Sequence, residues 1–131
     1  MKNTSIGFFF LLICGLGFAA CESIPGEGGT STITGKVFVR EFSSVGNLLG
    51  EYYGEEERVY IVYGTGNTFD DDTRTSFDGS YKFQYLNKGN YRIFAYSRCD
   101  TCASGKVAVI QDVEITSSNE TLELEDLIVR K

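Results

Sequence analysis

From Ile33 onward, apolar and polar residues alternate in short runs. In ITGKVFVR (33–40), Ile33, Val37 and Val39 share one side of an extended chain, with Lys36 and Arg40 opposite. RVYIVYG (58–64) sets Val59, Ile61 and Tyr63 on one face, and a polar strand is expected within TFDDDTRTSF (68–77). SYKFQYL (80–86) alternates Tyr81, Phe83 and Tyr85 against Lys82 and Gln84. NYRIFAYS (90–97) puts Tyr91, Ile93 and Ala95 opposite Arg92, Phe94 and Tyr96. KVAVIQDVEIT (106–116) and ETLELEDLIVR (120–130) supply two more strands. Seven short strands without sustained helical periodicity predict an all-β fold, a single antiparallel β-sandwich over residues 33–131. The glycine-punctuated stretch 41–56 reads as an inserted loop with at most one helical turn. SIPGEGGTST (23–32) is rich in glycine and small polar residues and reads as a flexible tether.

The N-terminus follows a different rule. Lys2 precedes the apolar run IGFFFLLICGLGF (6–18), which is shorter than the roughly 20 residues a membrane-spanning helix needs. It has the length of a signal-peptide core over residues 1–20. FAAC (18–21) resembles the lipobox of bacterial lipoproteins, although Phe18 stands where leucine is usual. That resemblance makes Cys21 the lipidated first residue of the mature chain, carrying acyl groups such as palmitate, with residues 21–32 as lipid-bearing cysteine and tether. Each buried methylene contributes about 0.8 kcal/mol, so several chains anchor firmly. The expected address is the bacterial cell envelope, at the outer membrane, facing the periplasm or the surface. Glu22 beside the cysteine points towards surface display.

FDGSYKFQYLNKGNYRIFAYS (77–97) resembles the signature of carboxypeptidase-regulatory-like and Cna-B-like domains, the prealbumin-like sandwiches, and ITGKV and VYIVYG fit the same family. The resemblance covers residues 33 to 97 and implies a Greek-key, immunoglobulin/transthyretin-like sandwich that mostly serves as a non-enzymatic module. Lys88 departs from the proline common in the family. Leu86, Gly89 and Tyr91 have the spacing of a tyrosine corner, in which the phenol bonds back to the preceding backbone. The family's Lys–Asn isopeptide crosslink needs an inward lysine on the first strand. Lys36 has the outward parity, so the crosslink is not expected.

Charge and composition narrow the function. The 131-residue chain has 12 basic and 18 acidic residues, a net charge of −6, and no histidine or tryptophan. An acidic surface without a basic cluster repels phosphate backbones, which argues against nucleic acid. Without histidine there is no Ser-His-Asp or Cys-His system. Glu55, Glu56 and Glu57 read as a solvated charge run rather than a paired acid and base. No enzyme activity is expected.

Three groups of residues remain as sites. Asp70, Asp71 and Asp72 are candidate calcium ligands, but Arg74, Thr75 and Tyr81 fall where an EF-hand loop needs a ligand, a glycine and a glutamate. The alternative is an edge strand whose acids discourage pairing with neighbours. Cys99 and Cys102 have the C-x-x-C spacing of redox motifs, but no helix follows to lower a thiol pKa. Outside the cytoplasm a structural disulfide is expected. Phe38, Tyr60, Phe94 and Tyr96 all take the outward parity and would form one aromatic patch if their strands share a sheet. Such a patch either docks a protein or glycan partner or is covered by Leu48, Leu49, Tyr52 and Tyr53 of the 41–56 insertion. The function expected is therefore a membrane-anchored, non-catalytic binding or structural module. The alternative is a calcium-dependent or redox-active envelope domain.

Overall fold

The computed structural model describes residues 23–131. The expected signal segment 1–20 and the expected lipidation at Cys21 lie outside the described residues. What is described is all β. The strands are β1 (Glu27–Phe42), β2 (Leu48–Tyr53), β3 (Arg58–Tyr63), β4 (Asp71–Arg74) and β5 (Ser80–Leu86). They continue as β6 (Gly89–Arg98), β7 (Lys106–Ile115), β8 (Thr121–Glu123) and β9 (Leu127–Arg130).

Two sheets face each other as a β-sandwich. One has the order β4-β3-β6-β7, antiparallel throughout. The other is organised along the 16-residue β1. Its first half pairs with β5 on one side and β8 on the other, and its second half pairs with β2 and β9. Between the sheets lie Ile33, Val37 and Val39 of β1, Val59 and Ile61 of β3, and Tyr81, Phe83 and Leu86 of β5. Tyr91, Ile93 and Ala95 of β6, Ile115 of β7, and Leu127 and Val129 of β9 complete the layer. Each of the larger side chains among them contributes about 1.5–3 kcal/mol by leaving water, so this shared layer holds the sheets together.

The structure corrects the strand count and direction. There are nine strands among the described residues rather than seven, and the pairings of β1 with β8 and β9 are parallel rather than antiparallel. The expected final strand 120–130 divides in two where β1 passes from its β5 and β8 partners to β2 and β9. There the Leu124 N–H bonds Thr34 O, and the Gln111 side chain donates to the carbonyls of Glu125 and Asp126. The second extra strand is β2. The stretch read as an irregular loop is a β1–β2 hairpin closed by Ser43–Asn47 and Gly46–Ser43 backbone bonds. The pairs Leu48–Leu49 and Tyr52–Tyr53 flank Gly50 and Glu51 there, and β1 offers an edge to satisfy their backbone.

The tether is corrected too. β1 begins at Glu27, inside the segment expected to be flexible. Ser31 is buried, with its hydroxyl donating to Ser117 O and accepting from the Glu120 N–H. Glycine and serine form strand here because neighbouring strands accept and donate on both edges, a tertiary effect that composition does not report.

Finally, Tyr85 points to solvent, not inward. Its φ of +59° reverses the alternation, so that Leu86 enters the core instead. The β1–β5 register slips at this point.

Candidate functional site

The outer face of the four-stranded sheet carries the most distinctive chemistry of the molecule. Strand register aligns Asp72, Tyr60, Phe94 and Ile110 in one row across β4, β3, β6 and β7. The next row sets Tyr96 opposite Ala108, and the row on the other side sets Val62, Arg92 and Asp112 together. Period-2 alternation places these residues outward because Val59, Ile61, Ile93 and Ala95 are held in the core.

The rings form one cluster. Tyr60 and Phe94 stack with centroids 4.9 Å apart and planes 13° from parallel. Tyr96 meets both rings edge-on at 5.5 Å. Phe69, from the β3–β4 connection, leans on Tyr60 at 4.8 Å. Tyr96, Phe69 and Ile110 each remain 50% exposed. Ion pairs border the cluster at both ends: Arg58–Asp72 at 3.2 Å and Arg92–Asp112 at 3.4 Å. Beside the rings runs a shallow groove of about 180 Å³, floored by Val62, Phe94 and Ile110 and edged by Asn67, Arg92 and Tyr96.

Of the four rings expected in one patch, the structure brings three together and separates the fourth. Phe38 lies on β1, in the other sheet, edge-on to Tyr53 at 5.3 Å. Lys36 sits 4.8 Å over that Tyr53 ring, and the Tyr53 hydroxyl bonds Asp126 at 3.0 Å, which raises the phenol's pKa. β2 therefore covers Phe38 and leaves Tyr60, Phe94 and Tyr96 open, so the expected lid from 41–56 does not lie on the cluster. Phe69 was missed because it sits in a connection, where alternation carries no information. Its one signal is an aromatic ring placed directly before an acidic run.

The three aspartates do not converge. The Asp70 carboxylate accepts the Tyr63 N–H at 2.7 Å, Asp71 accepts the Asp72 N–H at 2.8 Å, and Asp72 faces Arg58. Among the described residues no three Cys, Asp or Glu side chains form a metal-binding group. Asp71 and Asp72 belong to β4, a four-residue edge strand, so their charges lie where an unpaired edge is most open to unwanted pairing. Near them, burial and the charges of Glu27, Asp71 and Asp70 push the Tyr63 phenol up to about 12.

Cys99 and Cys102 are joined by a disulfide with Cα atoms 5.4 Å apart. It lies in the β6–β7 connection, whose ends are tied by the Cys99 N–H to Gly105 O bond at 2.9 Å. The next element is β7, so no helix N-terminus faces the sulfurs.

No protein-family model matches the chain, and no curated protein matches it in sequence. A similar solved structure is the crystal structure of "a putative carbohydrate binding protein" from Pseudomonas aeruginosa. It is 13% identical, with a TM-score of 0.47, over 82% of this chain and 92% of that one.

Proposed function

We propose that this chain is a lipid-anchored, non-catalytic recognition module of the bacterial envelope, and that its ligand is a glycan bound on the outer face of the β4-β3-β6-β7 sheet. The observation that carries this reading is the open cluster of Tyr60, Phe69, Phe94 and Tyr96 between two Arg–Asp pairs. A solvated sheet face is ordinarily polar, so four contiguous rings there call for a partner. Aromatic faces suit the C–H faces of a sugar ring. The Asn67 amide, the Arg92 guanidinium and the Asp112 carboxylate supply donors and acceptors matched to hydroxyls.

Several features support a module without catalysis. The chain has no histidine, and its carboxylates at this face are engaged by arginine or by backbone N–H groups. The sandwich and the tyrosine corner fit the carboxypeptidase-regulatory-like resemblance, which implies the same role. An apolar centre with a charged rim also suits a protein partner, and this is the second reading.

The test is titration calorimetry of the mature protein against envelope polysaccharide fragments, with wild type and Tyr96→Ser compared. Binding that weakens at least tenfold in the variant, with little change in melting temperature, supports the glycan reading. Binding unaffected by Tyr96→Ser removes this face from the account. Absence of glycan binding, together with a co-purifying envelope protein lost in Tyr96→Ser, selects the protein partner.

A further inference from the structure

β7 is the last strand of its sheet, and nothing blunts it. Its ten residues pair with β6 without a break, from Arg98 opposite Lys106 to Gly89 opposite Ile115, so no bulge bends it away. Among the described residues no backbone hydrogen bond reaches its other side. Alternate N–H and C=O groups along about 30 Å of strand are therefore left without a protein partner. The opposite edge of the same sheet, β4, is four residues long and carries Asp71 and Asp72. β2, an edge of the second sheet, is six residues long and contains Gly50. β7 has neither glycine nor proline, and Val107 and Ile110 on it are 46% and 50% exposed. A long, straight, apolar edge is a template for another strand.

The charges on β7 specify which strand. Its outward residues are Lys106, Ala108, Ile110, Asp112 and Glu114, a cation at one end, acids at the other and an aliphatic centre. Antiparallel pairing with β7 of a second copy, about a two-fold axis at Ile110, sets Lys106 opposite Glu114, Ala108 opposite Asp112, and Ile110 opposite Ile110. Symmetry makes the lysine–glutamate pair twice, and Val107 meets Val113 on the inner side. The neighbouring registers are poorer. An axis at Gln111 leaves Lys106 opposite Thr116, and an axis at Val109 pairs only residues 106–112 instead of 106–114. Parallel pairing in register would set Lys106 on Lys106 and Glu114 on Glu114, like charges directly opposed.

We infer that β7 joins β7 of a second copy in the register centred on Ile110, giving a closed dimer built on one continuous eight-stranded sheet. The axis runs perpendicular to the sheet, so both aromatic faces lie on the same side. The row Tyr60, Phe94, Ile110 then continues through the partner's Ile110, Phe94 and Tyr60. With strands about 4.8 Å apart, the two Phe94 positions are about 14 Å from each other. The dimer stands independently of glycan binding. Where that reading also holds, two aromatic clusters form one extended ligand surface.

The experiment follows the mass of the mature protein by sedimentation over a range of concentrations, in excess detergent micelles. A monomer–dimer equilibrium without larger species is expected. Ile110→Cys should form an intermolecular disulfide on mild oxidation, because opposed Cα atoms lie about 4.5–5.5 Å apart, within the reach of that bond. Ala108→Cys, offset from its copy by about 14 Å along the strand, should not. Cys99 and Cys102 are already bonded to each other and do not compete. Lys106→Glu should weaken the dimer about tenfold, and Lys106→Glu combined with Glu114→Lys should restore it. Both positions are exposed, so the fold is not at stake. A monomer at every concentration, with no Ile110→Cys bridge, overturns the proposal. Equal bridging at Ala108 and Ile110, open-ended oligomers, or no rescue by the double variant also overturns it, because each denies the register.

Discussion

Tyr91 and Gly26, 65 residues apart, are joined by two contacts: the glycine N–H donates to the phenol oxygen at 2.9 Å, and the hydroxyl lies 3.3 Å from the glycine carbonyl. The same hydroxyl reaches the Asn87 carbonyl four residues earlier at 2.6 Å. One side chain thus closes the β5–β6 corner and fastens the leader to it.

Tyr91→Phe removes these bonds and leaves a buried N–H without a partner. Such a group costs about 1–3 kcal/mol. The variant should melt several degrees lower, and limited proteolysis should cut it near Ile24–Gly28 much faster than wild type. Unchanged cleavage would show that the strand pairing of β1 alone holds the leader.

Tyr60 touches Phe69, Phe94 and Tyr96, whereas Tyr96 is half-exposed. Aromatic pairs contribute about 0.5–1.5 kcal/mol each beyond burial. Tyr60→Ser should therefore destabilise by about 2–4 kcal/mol, and Tyr96→Ser by about 1 kcal/mol or less. Chemical denaturation of the two variants checks the order. A reversed order would mean that the cluster is built around Tyr96.

The Tyr81 hydroxyl is buried and bonds nothing, and burial raises its pKa further than that of Tyr63. Tyr81→Phe deletes only this oxygen and should leave stability unchanged or raise it by about 1 kcal/mol. Gly35→Ala acts in the opposite direction, because its methyl group would overlap the Tyr81 ring. A thermal melt of each variant suffices to test both.

Alkaline pH should unfold the protein through three phenols. Burial raises the pKa values of Tyr63, Tyr81 and Tyr91, that of Tyr63 to about 12. Their unfolded counterparts ionise near 10, so above that pH the unfolded chain binds fewer protons and stability falls as pH rises. The contribution is full below pH 10 and is lost between about 10 and 12. Melting temperature against pH, with phenolate absorbance followed in parallel, should show a flat region and then a coupled fall and rise.

Reduction of Cys99–Cys102 opens a loop of very few residues. Chain-entropy arguments give about 2 kcal/mol for a closure this small. Reductant should lower the melting temperature modestly without altering β-sheet circular dichroism, since the β6–β7 hairpin keeps its ten-residue register. Loss of sheet signal would show that the bridge organises the hairpin rather than trimming its end.

The inward faces of β1, β3 and β6 were legible because their alternation is uninterrupted, and the buried set includes every apolar residue assigned inward there from Ile33 to Ala95 except the half-buried Tyr63. Tyr85 broke the rule through one left-handed residue, a local event that alternation cannot register. β2 and the first third of β1 were hidden for another reason. In β2 the apolar pairs are broken by Gly50 and Glu51, and the start of β1 is rich in glycine and small polar residues, so neither alternates. Both are strands because neighbouring edges complete their hydrogen bonds. On the outer face, parity placed Tyr60, Phe94 and Tyr96 on the side where the structure has them. Sheet membership, which separates Phe38 from them, depends on long-range pairing that parity leaves open.

β1 has partners along both edges, and two of those partners, β8 and β9, come from the last part of the chain. The central strand is synthesised early, and these two partners arrive only after everything between has been made. Contacts so distant in sequence make folding slow. Until the C-terminal segment emerges, one edge of β1 waits unpaired over residues 32–34 and 37–40. Until those last residues are made, the sandwich lacks the two parallel strands that complete β1, and its fold can close only once they arrive.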